Sequence, residues 1–157
     1  MVRLTMTGSD DIAYMRLALE QAATVANEVP VGAVVVLENN IIATASNQVC
    51  SSRDPTAHAE VIALRQASAR LGSERLTGAT LYVTLEPCCM CVGAMVLARI
   101  RRLVFAAREP KTGAVCSAFE LAMSSRHNHR LHIHEGVCAQ ESTDLLQRFF
   151  VARRSGC

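Results

Sequence analysis

Apolar residues recur at three- and four-residue spacing through Ile12, Met15, Leu19, Ala22 and Ala26, with Arg16, Glu20 and Asn27 between them. That periodicity predicts an amphipathic helix, capped by Ser9-Asp10-Asp11 and finished before Pro30. The pattern then changes. Residues 31–37 form a continuous, β-branched apolar run, as expected of a strand covered on both faces. Gly32 inside that run marks either a close approach by another part of the chain or a simple packing glycine. Glu38-Asn39-Asn40 turns the chain into a second strand over 41–46, and the two make a hairpin. After a polar loop over 47–55, a helix runs from Thr56 to about Arg70, and Gly72 follows its end. Residues 80–85 read as a third strand, 87–98 as a helix that tolerates Pro87 in its first turn, and 101–107 as a fourth strand. A glycine-containing loop over 109–117 leads to a short helical stretch at 119–123. Leu131 and Ile133, and conditionally Val137, suggest a fifth short strand. The last pattern, over 141–154, is helical, with Leu145, Leu146, Phe149 and Phe150 on one side.

A hairpin followed by strands alternating with helices predicts an α/β fold, a three-layer α/β/α sandwich around a five-stranded mixed sheet. Periodicity leaves the strand order open. With 157 residues, no repeats and no linker, the chain is expected to be one domain spanning 1–157.

Composition narrows the setting. Residues 1–11 carry no apolar h-region, and the longest nearly apolar run, 29–37, is too short to cross a bilayer. The seven cysteines follow no disulfide framework. Reduced thiols and a cytoplasmic location without membrane attachment are therefore expected, with Cys50, Cys116, Cys138 and Cys157 as ordinary packed or surface thiols. A net charge of +2 does not announce a nucleic-acid binder, and Lys111 is the only lysine among the basic residues. Nucleotide composition of the genome is one reading of that bias, and arginine is also the side chain that best grips phosphate. RNA binding stays open at this point.

Two short stretches carry chemistry: Thr56-Ala57-His58-Ala59-Glu60 and Glu86-Pro87-Cys88-Cys89-Met90-Cys91. Cys88 and Cys91 are three apart at a predicted helix start, which puts both sulfurs on one side. A helix N-terminus favours the thiolate that a metal needs. One imidazole and two thiolates make three ligands, the number a catalytic zinc keeps while leaving its fourth position to water. Cys89 is turned about 100° from Cys88 and is a poor fourth ligand. Glu60, two residues from His58, is placed to border that fourth position and move a proton there.

His58-Ala59-Glu60 and Pro87-Cys88-Cys89-Met90-Cys91 resemble the signature of the zinc-dependent nucleobase deaminases. The likeness reaches nearly the whole chain. Glu28 to Ala33, Asn47, Asp54 to Glu60, Thr80 to Cys88, Lys111 to Ala114, Asn128 to Arg130 and Phe149-Phe150 resemble the bacterial tRNA adenosine deaminase family. The resemblance implies a cytidine deaminase-like fold, one Zn2+ per subunit and a homodimer. It also implies hydrolysis of adenosine to inosine at the wobble position of a tRNA anticodon stem-loop, mainly of an arginine tRNA. His58, Cys88 and Cys91 would bind zinc. Glu60 would shuttle the proton while activated water attacks C6. Asn47, Glu109 and Phe149 would bind substrate: Asn47 at the flipped adenine or its ribose, Glu109 at the sugar, Phe149 near the splayed loop. An anticodon loop is already single-stranded, which makes flipping inexpensive.

Glu109 stands where the family usually carries aspartate, and its extra methylene bears on RNA-versus-DNA discrimination. Cys89 replaces a small or aliphatic residue and is expected to be a buried, inert thiol. The sequence stops soon after Arg153-Arg154, so tail-borne attraction for phosphate is expected to be weak. His127, His129, His132 and His134 look like a second metal cluster but lack a thiolate or carboxylate pattern, so a solvated face is expected. Asn47 also reads as a turn asparagine, and Phe149-Phe150 as core or dimer packing. Two other functions fit the same motifs: a deaminase of free bases or nucleosides such as guanine or cytosine, and a non-catalytic zinc protein that binds RNA.

Overall fold

The computed structural model describes residues 8–156; residues 1–7 and Cys157 lie outside it. Helix α1 (Gly8–Ala23) precedes the hairpin of β1 (Gly32–Leu37) and β2 (Asn40–Ser46). Glu38 and Asn39 both take positive φ, 49° and 63°, as a two-residue hairpin turn requires. A single turn, α2 (Val49–Ser52), and α3 (Ala59–Leu71) follow. Then come β3 (Thr80–Leu85), α4 (Cys89–Leu97), β4 (Arg102–Ala107), a 3-10 turn at Leu121–Met123, β5 (His132–Glu135) and α5 (Ala139–Ser155).

The sheet has the order β2-β1-β3-β4-β5. β1 pairs antiparallel with β2 and β3, while β3, β4 and β5 run parallel, so the sheet is mixed as expected. Alternation along the central strands builds two cores. Ala33, Val35, Leu81, Val83, Leu103 and Phe105 face one way, toward Ala63 and Leu64 of α3 and Val92 and Met95 of α4. Val34, Val36, Tyr82, Val104 and Ala106 face the other, toward Met15 and Ala18 of α1. With α5 beside α1 on that second face, the molecule has the expected three layers.

Gly32 has its reason here. A Cβ at that position would lie 1.9 Å from the Ala18 carbonyl oxygen, so α1 crosses directly against the strand backbone. Close approach decides between the two readings of this glycine.

Some expectations shift. The buried stripe of α1 is Asp11, Met15, Ala18 and Ala22, whereas Ile12 is exposed and Ala26 lies beyond the helix. The stripe is displaced because Asp11 is drawn inward by partners from distant strands. Tyr82 donates to its carboxylate at 2.8 Å, and Arg102 makes two bonds at 2.7 and 2.6 Å. Helix α3 begins at Ala59 and not at Thr56, because Asp54 holds the preceding turn: its carboxylate accepts from the Thr56 amide and hydroxyl at 2.8 and 2.7 Å. The polar loop over 47–55 contains α2, stabilised where the buried Glu28 carboxylate accepts the Cys50 and Ser51 amides at 3.1 and 2.7 Å.

Candidate metal centre

The site forms where β3 ends and α4 begins, at the carboxyl end of a parallel strand. Open α/β sheets place ligands at such ends. Across from it stands the start of α3. His58 is the N-cap of α3 and Cys88 the N-cap of α4, both with extended backbone, and neither side chain caps its own helix, the Cys88 sulfur meeting instead that of Cys91. N-cap side chains ordinarily turn back onto the helix N–H groups. These two are left free for the space between the helices. Cys91, in the first turn of α4, is the third member.

The three donor atoms form a small triangle. His58 Nδ1 is 3.6 Å from Cys88 Sγ and 3.5 Å from Cys91 Sγ, and the two sulfurs are 3.7 Å apart. A tetrahedral zinc with its usual bond lengths to sulfur and imidazole nitrogen has edges of roughly 3.8 Å between sulfurs and roughly 3.6 Å between sulfur and nitrogen. The fit is close on every side. Among the described residues, no other group of histidine, cysteine or acidic side chains is gathered closely enough to hold a metal. Two thiolates and an imidazole are the soft and borderline donors that select zinc.

The electrostatics suit anionic sulfur. The hydrogen bond from the Cys91 thiol holds Cys88 well below the usual thiol range, despite burial, and His58 helps. The same bond and burial push Cys91 up. His58 is raised, chiefly by its bond with Cys88. Glu60 is buried in the first turn of α3, and burial pushes its carboxyl up to about 7, although His58 and the Cys91 thiol oppose that shift. A cation between the three ligands would favour the carboxylate further. Because His58 lies outside the helix proper, the rule that residues two apart face different ways does not separate it from Glu60.

Asn47 secures the frame. Its side-chain oxygen accepts from the Ala59 amide at 2.9 Å and its amide donates to the Val29 carbonyl at 3.1 Å. It therefore caps α3 from outside while His58 occupies the cap position. Glu109 starts the 109–117 loop, and its carboxylate accepts from the Lys111 amide at 2.9 Å. Phe149 is half-buried, edge-on to Phe150 at 5.3 Å with the Arg153 guanidinium 5.1 Å over its ring. Phe150 is exposed and lines an open cleft of about 690 Å³ with Lys111, Gln147, Arg153 and Arg154.

Two readings change here. Cys89 is exposed, not buried, because its place at the start of α4 turns it outward, away from Cys88. Sequence reasoning also gave no role to Glu86, whose buried carboxylate gathers the 109–117 loop; its donors lie too far along the chain for any local pattern to reveal them. The four histidines divide, and only two of them lie on the expected solvated face. His127 and His129 donate to the Leu121 and Ile100 carbonyls at 2.8 and 2.5 Å, while His132 and His134 are exposed on the edge strand β5.

Comparison with known proteins agrees with this geometry. Residues 8–154 match the family model of the MafB19-like deaminases. A tRNA-specific adenosine deaminase of Haemophilus influenzae is 48% identical, covering 92% of this chain and 85% of that protein. One from Agrobacterium fabrum is 44% identical over 90% of this chain and 94% of its own length. The chain belongs to the tRNA-specific adenosine deaminases. A solved structure from work on A-to-I editing by tRNA:A34 deaminases superposes on this family member with a TM-score of 0.82. It is 44% identical, covering 85% of this chain and 98% of its own. Guanine deaminase from Nitrosomonas europaea has the same fold at greater distance: TM-score 0.70, 25% identity, 93% of this chain and 85% of its own. No helix among the described residues is long and apolar enough to cross a membrane.

Proposed function

We propose that this enzyme, acting as a single deaminase domain, converts adenosine to inosine at the wobble position of a tRNA anticodon, an arginine tRNA foremost. The observation that carries the reading is the His58–Cys88–Cys91 triangle, sized for one zinc ion and flanked by a buried carboxylate. When bound there, zinc supplies Lewis acidity that lowers the pKa of a water to about 7. Glu60 takes a proton from the attacking water and delivers it to adenine N1 as oxygen adds to C6. It then takes the proton of the hydroxyl now on C6 and passes it to the amine, so the C6–N bond breaks, the C6 carbonyl forms and ammonia leaves. Asn47 keeps one side-chain N–H for the substrate beyond its bond to Val29, and Glu109 stands beside the ribose.

Support for RNA comes from the α5 cleft, where Lys111, Arg153 and Arg154 surround an exposed phenylalanine. Cationic groups around an aromatic face suit a splayed single strand. The enzyme acts in the cytoplasm as a homodimer. The test is incubation with an anticodon stem-loop bearing adenosine at the wobble position. Inosine is expected from the wild type and none from Glu60→Ala. Ammonia released from guanine or cytosine with the RNA untouched would instead favour a free-base deaminase, and zinc-loaded but inert protein an RNA-binding subunit.

A further inference from the structure

Glu86 follows the last residue of β3, two positions before Cys88, and its carboxylate is fully engaged. It accepts the backbone amides of Glu109 (3.0 Å), Val115 (3.1 Å), Cys116 (2.8 Å) and Ser117 (3.0 Å), as well as the Ser117 hydroxyl. All these donors belong to the 109–117 loop. The backbone is tied in as well. The Glu86 amide donates to Ala107 at 2.8 Å, continuing β3 beside β4, and the Ala114 amide donates to Pro87 at 2.8 Å. Gly113 leaves room for the arrangement, since a Cβ there would lie 2.5 Å from the Glu86 carboxyl carbon. One residue, Pro87, separates this hub from Cys88.

The loop held in this way begins with Glu109 and includes Lys111, which lines the cleft shared with α5. A carboxylate buried at the end of β3 thus references one wall of that cleft to the metal ligands. We propose that Glu86 is a positioning residue: it holds the 109–117 loop, and with it Lys111 and Glu109, in register with the metal centre for RNA binding. This rests on the tRNA reading above. Glu86 takes no part in proton transfer, because its oxygens are turned to the loop amides.

The test is Glu86→Gln, which preserves shape but sets an NH2 group against N–H donors. In the variant, zinc content is expected to remain one per chain. Amide exchange at Glu109, Val115, Cys116 and Ser117 should speed up at least tenfold, and KM for the stem-loop should rise about tenfold, with kcat within about threefold. Ser117→Ala, a milder lesion, should move exchange and KM in the same direction by about threefold, and decides the question should Glu86→Gln fail to fold. Three results would overturn the proposal: unchanged loop exchange, a fall in kcat at constant KM, or loss of zinc. If the wild type leaves the stem-loop unmodified, the substrate reading fails. The exchange data then still decide whether Glu86 holds the loop.

Discussion

Glu60 and Asp11 show what single buried carboxylates do in this molecule. Glu60 forms no ion pair with a lysine or arginine among the described residues and borders the ligand triangle. Glu60→Gln is therefore expected to retain zinc and lose about 10²–10⁴-fold in turnover, checked by metal analysis beside inosine formation. Asp11 is the opposite case. Burial works against its ionisation, but Arg102 and Tyr82 outweigh it and hold the carboxyl below the ordinary aspartate range. A depressed folded pKa gives stability that is present above the unfolded value and lost as pH falls through the folded one. Asp11→Asn should thus cost about 2–3 kcal/mol at pH 7, with the gap to wild type narrowing below pH ~4, measured by urea denaturation of both proteins without metal. The ligands were legible because their types and spacing are written in sequence: His58 with Glu60, Cys88 with Cys91. Asp11 was not, since its partner Arg102 is remote in sequence and an aspartate near a helix start reads as a cap.

Elements in this fold are placed by backbone approach as much as by side-chain packing. The strands were readable from continuous apolar runs, and β3 was placed at 80–85 as observed. Helix starts were less so. Asn47 and Asp54 set the entry to α3 through bonds to Ala59 and Thr56 that no periodicity encodes. At Gly32, any side chain would collide with the carbonyl of Ala18 in α1, where backbone cannot yield. Gly32→Ala is expected to destabilise by about 3 kcal/mol, seen as a lower urea midpoint with an unchanged slope. Should the midpoint not move, α1 would not lie against β1 as described.

For the molecule as a whole, two helix N-termini and one strand end meet at the His58–Cys88–Cys91 triangle, so a metal bound there would link to the fold. Chelation, or Cys88→Ser, should lower thermal stability; saturating zinc a thousandfold above its Kd corresponds to about 4 kcal/mol. Calorimetry with and without chelator checks this. The proposed RNA surface is modest, in keeping with a net charge of +2. Replacing both Arg153 and Arg154 by alanine should flatten the dependence of log affinity on log salt by about 1.4, followed by anisotropy of a labelled stem-loop.

The most direct measurement loads the wild type and Glu60→Ala with zinc and follows inosine at the wobble position of the anticodon stem-loop, with metal bound per chain recorded for each. One zinc in both proteins and inosine from the wild type alone is the predicted result. Inosine made at full rate by metal-free protein, or by Glu60→Ala, would contradict it.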